Sequence, residues 1–286
     1  MKKREKQILA LVFILLAGVF LISLSLSVSI LVSADKQARK FAQLADIIRE
    51  SPSGSSASRL PAKIPAQDNP DADVQQEENT PAEPELLSGC QRLKLLNEDF
   101  FGWLSIDGTK IQYPVMHTPE DPEYYLHRDF DGNDARSGVP FLAGDCFEGC
   151  GNYLIYGHNM KDKSMFSGLL AYADEDFWRE PPMIHFDTVQ PPGTYEVIAA
   201  FYAEAYSKDA QDAFRYYQYT DLREAERFSE YLSQVYSAAL YDTGVKAQYG
   251  DGLLTLSTCS YHTGNGRFVV VARQIPTAQY GEDLDP

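Results

Sequence analysis

Two short apolar segments near the C-terminal end, residues 253–259 and 267–272, constrain the fold of this chain most strongly. Both are rich in leucine or valine, and the connection between them contains two glycines and an asparagine. This pattern predicts two antiparallel strands joined by a loop. Such a hairpin places Cys259, which ends the first segment, beside Arg267, which begins the second.

A third residue of chemical interest lies about a hundred positions earlier, where the apolar segment 152–156 ends in Gly157 and His158. A free thiol is mostly protonated at neutral pH, so a cysteine nucleophile needs a nearby imidazole and a donor for the developing oxyanion. Cys259, His158 and Arg267 provide these parts at three strand ends. Taken singly, each also fits a structural role, as a small buried residue, a turn residue and a surface charge.

Two motifs connect these residues to a known family. Residues 255–259, Thr-Leu-Ser-Thr-Cys, resemble the Thr-Leu-x-Thr-Cys signature of sortases, which are cysteine transpeptidases of Gram-positive bacteria. Residues 156–160, Tyr-Gly-His-Asn-Met, are similar to the sortase histidine motif in the form usual for class B, and residues 101–106 and 111–115 resemble the opening strands of that domain. The resemblance covers roughly residues 86–275. It implies a mainly β fold, a closed eight-stranded barrel with an N-terminal helix and a helix inserted before the cysteine strand.

The resemblance also implies a reaction. Cys259, His158 and Arg267 would be the catalytic residues, and no cofactor or metal would be needed. Cys259 would cleave a C-terminal sorting motif of an exported protein after its threonine and form a thioester, which passes to an amine of a peptidoglycan precursor. The positions next to the motifs make Leu256, Thr258, Ser260 and Asn159 candidates for substrate binding.

Three alternatives stay open at this point. A sortase that polymerises pilus subunits would use a pilin amine as the acceptor. A membrane-tethered cysteine protease would use the same three residues and pass the acyl group to water. A tethered binding barrel without catalytic activity would need none of them.

The N-terminal region predicts a membrane anchor. Residues 8–32 carry no charge, and as a helix they span roughly 37 Å, enough for a hydrocarbon core of about 30 Å. The basic residues at positions 2, 3, 4 and 6 place residues 1–7 in the cytoplasm and the catalytic domain outside the cell. The alternative is a cleavable signal sequence, because Val-Ser-Ala at 32–34 resembles a cleavage site.

The remaining segments divide the chain further. Residues 33–85 read as an extracellular acidic stalk rich in proline and serine, with a short helix over 35–49 and a disordered stretch from 50 onward. The catalytic domain covers 86–276, and an acidic tail follows at 277–286. Within the domain, apolar spacing predicts helices over 86–101 and 221–240. Asp221 and Glu224 resemble the capping box that would begin the second of these helices.

Charge and cysteine content limit other functions. The net charge is −16 and no basic cluster occurs beyond the first six residues, which argues against a nucleic-acid partner. Cys146 and Cys150 are spaced for a disulfide, or for half a metal site with His158 and His262. His262 also lies close enough to Cys259 in sequence to be an alternative base.

Overall fold

Eight β-strands close into a barrel in the computed structural model, which describes residues 3–50, 87–179, 182–190, 193–207, 210 and 213–276. Around the barrel the order is β1-β2-β3-β4-β7-β8-β6-β5, and β5 returns to pair with β1. This result confirms the mainly β class and the closed eight-stranded barrel expected from the sequence. The strands are β1 (Phe100–Ile106), β2 (Gln112–Met116), β3 (Phe141–Leu142), β4 (Asn152–Gly157), β5 (Ile184–Thr188), β6 (Gly193–Glu204), β7 (Leu253–Cys259) and β8 (Gly266–Gln274).

Strand alternation divides β7 into two chemically different faces. Leu254 and Leu256 are fully buried in the apolar core, which fills the interior as side chains do in other barrels of this size. The intervening Thr255 and Ser257 point the other way, and their hydroxyls bond to the hydroxyls of Tyr231 and Tyr216, each over 2.7 Å. The strand therefore carries hydrogen-bonding groups on the side where Cys259 also lies.

Two strand pairs bring the ends of β4, β7 and β8 together. β7 and β8 pair antiparallel, with Cys259 opposite Arg267. β4 and β7 pair parallel, with Gly157 opposite Thr258. Parallel strands end at the same edge of a sheet, so the residue that follows β4 lies beside the residue that ends β7.

A single long helix, α1 (Lys3–Arg49), forms the described part of the N-terminal region. It is long and apolar enough to cross a membrane, and its most apolar window has no buried residue. The sequence predicted a separate short helix over 35–49 within a stalk. Instead this part continues α1 and packs on the barrel, where Phe41 and Leu44 are buried and the Phe41 ring meets that of Tyr113 at 5.1 Å. The side chain of Gln37 also donates to the Gly138 carbonyl oxygen over 2.7 Å.

The predicted helix over 86–101 is shorter in the structure, where α2 covers Gly89–Leu96. Ser88 begins it with a capping box that includes Gln91. Asn97 ends it with extended backbone angles, because Phe100 already pairs with Met116 across β1 and β2. The apolar residues at the end of the predicted helix thus belong to a strand.

The predicted helix over 221–240 is α4 (Ala225–Ala238) in the structure. A short helix, α3 (Glu175–Arg179), lies earlier in the chain. The proposed capping box was wrong. Asp221 forms an isolated bridge with Gly151, and its carboxylate accepts hydrogen bonds from the side chain of Arg223. Glu224 occupies the N-cap position, and no side-chain hydrogen bond caps the helix there. The helix inserted before the cysteine strand is confirmed.

Other sequence assignments fall on residues that the structure does not describe. The stretch 51–86 contains most of the predicted disordered stalk, and 277–286 is the predicted acidic tail. Both stay predictions.

Candidate active site

Cys259 and Arg267 lie opposite each other at the end of the β7–β8 pair. The Cys259 side chain is partly exposed. Arg267, the second residue of β8, is its direct partner in the strand register. The guanidinium donates from Nη1 to the carbonyl oxygens of Gly266 over 3.0 Å and of Asn265 over 3.4 Å. These bonds hold the guanidinium against the backbone of the loop that precedes β8, and no carboxylate among the described residues forms an ion pair with it.

His158 follows directly after β4, next to the end of β7. Its Nε2 lies 2.9 Å from the carbonyl oxygen of Leu126. Because a carbonyl oxygen can only accept, Nε2 carries the hydrogen, and Nδ1 of the neutral ring is left to accept or receive a proton. His127 stacks on the ring with centroids 5.4 Å apart and planes inclined by 21°.

The surroundings of His158 lower its pKa below the ordinary 6.5, chiefly because burial disfavours the charged imidazolium. The hydrogen bond to Leu126 opposes this shift, and the nearby His127 adds to it. At neutral pH the ring is therefore mostly neutral. A neutral imidazole can take a proton from a thiol or an amine, which is the role expected of a base beside Cys259.

A cavity of about 550 Å³ is lined by Cys259, His158 and Arg267 together. Polar, acidic and aromatic side chains complete its wall. Tyr216, which bonds to Ser257, is buried near Arg267, and its pKa is raised to about 12, so it stays a neutral phenol. The remaining residues of the wall are Pro122, Glu123, Leu126, Phe141, Ala143, Gly144, Asp145, Tyr156, Gly157, Ala205, Tyr217, Ser257 and Thr258.

The four predicted substrate-binding residues have different locations. Thr258 lines the cavity, and its hydroxyl donates to the Gly157 carbonyl oxygen over 2.7 Å. Leu256 is fully buried in the core, and Ser260 is buried beside His262, so neither lines this cavity. Asn159 donates from its side-chain amide to the Cys259 carbonyl oxygen over 2.9 Å. Of the four, Thr258 alone lines this cavity, although it too is buried, whereas Asn159 bonds to the end of the cysteine strand.

Several residues of the cavity wall lie outside every motif of the sequence. Tyr216 and Tyr217 lie in a short 3₁₀ helix between β6 and α4, away from both motifs. Asp145, whose carboxylate accepts from the Thr220 hydroxyl over 2.8 Å, lies in the loop between β3 and β4. Only the three-dimensional fold brings these segments to Cys259. Tyr156 was within the recognised histidine motif, and its place in the wall follows from the end of β4.

The alternative base, His262, lies away from the cavity wall. Its side chain is exposed in the loop between β7 and β8, where Nδ1 is 3.1 Å from the Ser260 hydroxyl and the ring contacts that of Tyr202 at 4.8 Å. His262 does not line the cavity that contains Cys259.

Cys146 and Cys150 are free thiols in the structure, and both are buried. Both sulfur atoms approach the Asn152 carbonyl oxygen, at 3.7 and 3.4 Å. No group of three or more potential metal-binding side chains occurs among the described residues.

Comparisons with known proteins agree with this geometry. The family model described as the sortase domain matches residues 104–275. Sortase B of Listeria monocytogenes is 32% identical over 197 residues, which are 67% of this chain and 76% of the relative.

Solved structures lead to the same group. Sortase B from B. anthracis, solved in complex with AAEK1, superposes with a TM-score of 0.64 at 25% identity, and the match covers 86% of this chain and 99% of that one. A Staphylococcus aureus sortase B–substrate complex superposes with a TM-score of 0.58 at 25% identity, over 66% of this chain and 85% of the other.

Proposed function

The chain belongs to the sortase family, in class B, and we propose that it attaches exported proteins to a peptidoglycan precursor through a thioester on Cys259. Sortases are cysteine transpeptidases, so the reaction class follows from the family. The identity of the reacting residues, the cleavage point and the acceptor are our proposal. The observation that supports it most is the pairing of Cys259 with Arg267 on the wall of a cavity that His158 also lines.

In the first half of the reaction, the neutral His158 takes the proton of the Cys259 thiol, and the sulfur attacks the carbonyl carbon of a threonine in a C-terminal sorting motif. A C–S bond forms and the carbonyl oxygen becomes an oxyanion, which the Arg267 guanidinium stabilises. The C–N bond then breaks, and His158 gives a proton to the leaving amine. The product is a thioester between the threonine and Cys259.

In the second half, an amine of the acceptor attacks the thioester carbon. His158 accepts the proton that the nitrogen loses, the C–S bond breaks, and the thiolate of Cys259 is released. The proton then returns from His158 to the thiolate, so His158 acts first as a base and then as an acid in each half. No step requires a cofactor, because both bonds are exchanged at one acyl carbon.

Thr258 and the groove around it are the proposed binding surface for the sorting motif. Thr258 supports this assignment because it borders Cys259 and lines the cavity. For Leu256 and Ser260 an indirect role fits better, since neither lines the cavity. The Staphylococcus aureus relative was solved as a substrate complex, which supports a protein segment as the ligand of this groove.

The proposed location is the outer face of the cell membrane. The apolar part of α1 would be the anchor, with residues 1–7 in the cytoplasm and the domain 86–276 outside. Exported proteins that bear a sorting signal would then meet the enzyme where they leave the membrane.

Product analysis tests this function against hydrolysis. The full-length protein is incubated with a pooled peptide library that contains a fixed threonine, with and without triglycine. We expect an amide product with triglycine and little free acid. Free acid alone in both reactions would identify a hydrolytic cysteine protease, and an unchanged library would indicate a binding barrel.

A further inference from the structure

Two buried thiols, those of Cys146 and Cys150, take no part in the proposed reaction. They lie in the loop between β3 and β4, and the two residues are 3% and 0% exposed. Both sulfur atoms approach the same oxygen, the carbonyl of Asn152, at 3.7 and 3.4 Å. A hydrogen bond between the two thiols is the main cause that lowers the pKa of Cys150, against the effect of burial. The two sulfur atoms are therefore immediate neighbours.

The turn between the two cysteines brings their side chains to one side. Only three residues separate them, and the Cys150 N–H closes the turn by donating to the Phe147 carbonyl oxygen over 3.1 Å. Gly149 has a φ of +78°, in the left-handed region that glycine adopts at little cost. Phe147, Glu148 and Gly149 are exposed, whereas both cysteines are buried. A bond between the sulfur atoms would thus close a ring whose backbone is already bent in the required direction.

The same loop holds part of the wall of the cavity that contains the reacting thiol. The Cys150 carbonyl oxygen accepts a hydrogen bond from the Leu222 N–H over 2.7 Å. The side-chain amide of Asn152 donates to the Tyr219 carbonyl oxygen, also over 2.7 Å. Segment 219–222 follows directly after the 3₁₀ helix of the cavity wall. A rigid loop therefore keeps this part of the wall in place.

Cysteine pairs have different fates on the two sides of a membrane. Disulfides are rare in the cytoplasm and persist in exported domains. The proposed location of this domain is outside the cell. Because only three residues lie between the two cysteines, they also stay near each other while the exported chain is still unfolded, when an oxidant can reach them.

We propose that Cys146 and Cys150 form a disulfide in the exported protein, which fixes the loop beneath the cavity wall. The structure shows the pair in its reduced form. This inference rests on the proposed extracellular location and not on the proposed reaction.

The oxidant is a disulfide carried by an extracellular thiol oxidoreductase. One cysteine thiolate attacks a sulfur atom of that disulfide and displaces the first thiolate of the oxidant. The other cysteine thiolate attacks the mixed disulfide and displaces the second. The pair thus loses two protons and two electrons, and the oxidant becomes a dithiol.

Peptide mapping of the full-length protein detects this bond. The protein is purified from the membrane of a Gram-positive host without reductant, unfolded in guanidinium chloride with iodoacetamide to cap every free thiol, and cut with trypsin. Both cysteines fall in one tryptic peptide, residues 137–161. We expect this peptide to be uncapped and about 2 Da lighter than its free-thiol form, because two hydrogen atoms are lost. Cys90 should be capped.

The disulfide should stabilise the loop and the cavity wall beside it. Reduction with a phosphine should lower the melting temperature by about 4–8 °C, as expected for so short a loop in a domain of this size. Hydrogen exchange in segment 216–222 should become about tenfold faster, because the hydrogen bond from Leu222 to Cys150 opens more often. Exchange in β1 should not change. These measurements use Cys259→Ala as the parent protein, so that the partly exposed thiol does not contribute.

Two further variants separate the pair from the other thiols. The double variant Cys146→Ser, Cys150→Ser should not respond to the phosphine, whatever its own stability, because no bond is left to reduce. Cys90→Ser is the matched control, since Cys90 is also buried and its thiol donates to the Asp187 carbonyl oxygen over 3.4 Å. Its response to the phosphine should equal that of the parent protein.

Two capped thiols on the 137–161 peptide, or a disulfide that joins either cysteine to Cys90, would overturn the inference. A melting temperature and an exchange rate that reduction leaves unchanged would also overturn it. The same preparation, with Cys259 intact, is exposed to the threonine-containing peptide library. A thioester together with two free thiols would reject the disulfide and leave the proposed function standing, whereas a disulfide without a thioester would do the reverse.

Discussion

The side-chain amide of Asn159 donates a hydrogen bond to the backbone carbonyl oxygen of Cys259 over 2.9 Å. Asn159 follows His158 in the chain, so this bond ties the segment that carries the imidazole to the strand that carries the thiol. The two strands are already paired through Gly157 and Thr258, one residue earlier on each. The bond extends the register of the two strands to His158 and Cys259.

Loss of this bond should slow thioester formation more than it destabilises the protein. A hydrogen bond of this kind contributes about 1 kcal/mol, so we expect Asn159→Ala to lower the rate by about fivefold, with a melting temperature within a few degrees of the wild type. Asn159→Asp keeps the shape but has no donor, and it should lose as much. A full rate in Asn159→Asp would show that the bond does not position Cys259. Stopped-flow labelling by a peptide substrate measures the rate.

Gly157 should tolerate no side chain. A Cβ atom at this position would lie 2.6 Å from ring atoms of Phe166, which is fully buried. Overpacking of this kind costs about 1–3 kcal/mol and displaces the neighbouring backbone, so Gly157→Ala should misplace His158 and lower activity by more than about tenfold. Gly264→Ala is the matched control, because a Cβ there meets nothing within 4 Å. Equal activity of the two variants would contradict this account. Thermal unfolding and kcat/KM are the measurements.

The pKa of His158 should lie below 6.5 and depend on His127. Burial is the main cause of the lowered value and His127 contributes to it, so His127→Gln should raise the pKa towards 6.5. Because the folded state disfavours the charged ring, the neutral ring contributes to the free energy of unfolding, and this contribution is complete above pH 6.5. It is lost as the pH falls through the lowered folded pKa. Nitrogen-15 NMR titration of the histidines measures both proteins. A pKa at or above 6.5 that does not respond to His127→Gln would be inconsistent with the structure.

Cys259 should be the only one of the four cysteines that reacts readily with iodoacetamide in the folded protein. Cys90, Cys146 and Cys150 are buried, whereas Cys259 is partly exposed, and burial raises the pKa of the Cys90 thiol to about 12. Peptide mass spectrometry before and after unfolding in guanidinium chloride identifies the labelled residues. Rapid labelling of Cys146 in the folded state would contradict the described packing. Protection of Cys146 and Cys150 after unfolding without reductant would reveal a disulfide in the exported protein.

Much of the barrel rim could be predicted from the sequence because its determinants are local. The β7–β8 pairing follows from two apolar segments with a glycine-containing connection, and that pairing alone sets Cys259 opposite Arg267. The position of His158 follows from the end of β4, although its approach to Cys259 depends on a parallel pair that crosses a hundred residues. The resemblance to sortases supplied that longer link.

What the sequence did not reveal depends on tertiary contact. The spacing over 35–49 predicted a separate short helix, yet Phe41 meets Tyr113 and attaches this part of α1 to the barrel. Asp221 has the spacing of a helix cap, but its pairing with Arg223 and Gly151 removes it from that role. Tyr216 lies in a segment distant from both motifs, and in the fold its hydroxyl bonds to that of Ser257 on β7.

The central claim, that Cys259 carries the acyl group with help from His158 and Arg267, is tested most directly by intact-protein mass spectrometry after brief exposure to the threonine-containing peptide library. The account predicts an added mass on Cys259 that equals the peptide fragment up to its threonine. This added mass should be absent in Cys259→Ala and strongly reduced in His158→Ala and Arg267→Ala. His262→Ala should accumulate the adduct as the wild type does. An adduct on another residue, or one retained in His158→Ala and lost in His262→Ala, would contradict it.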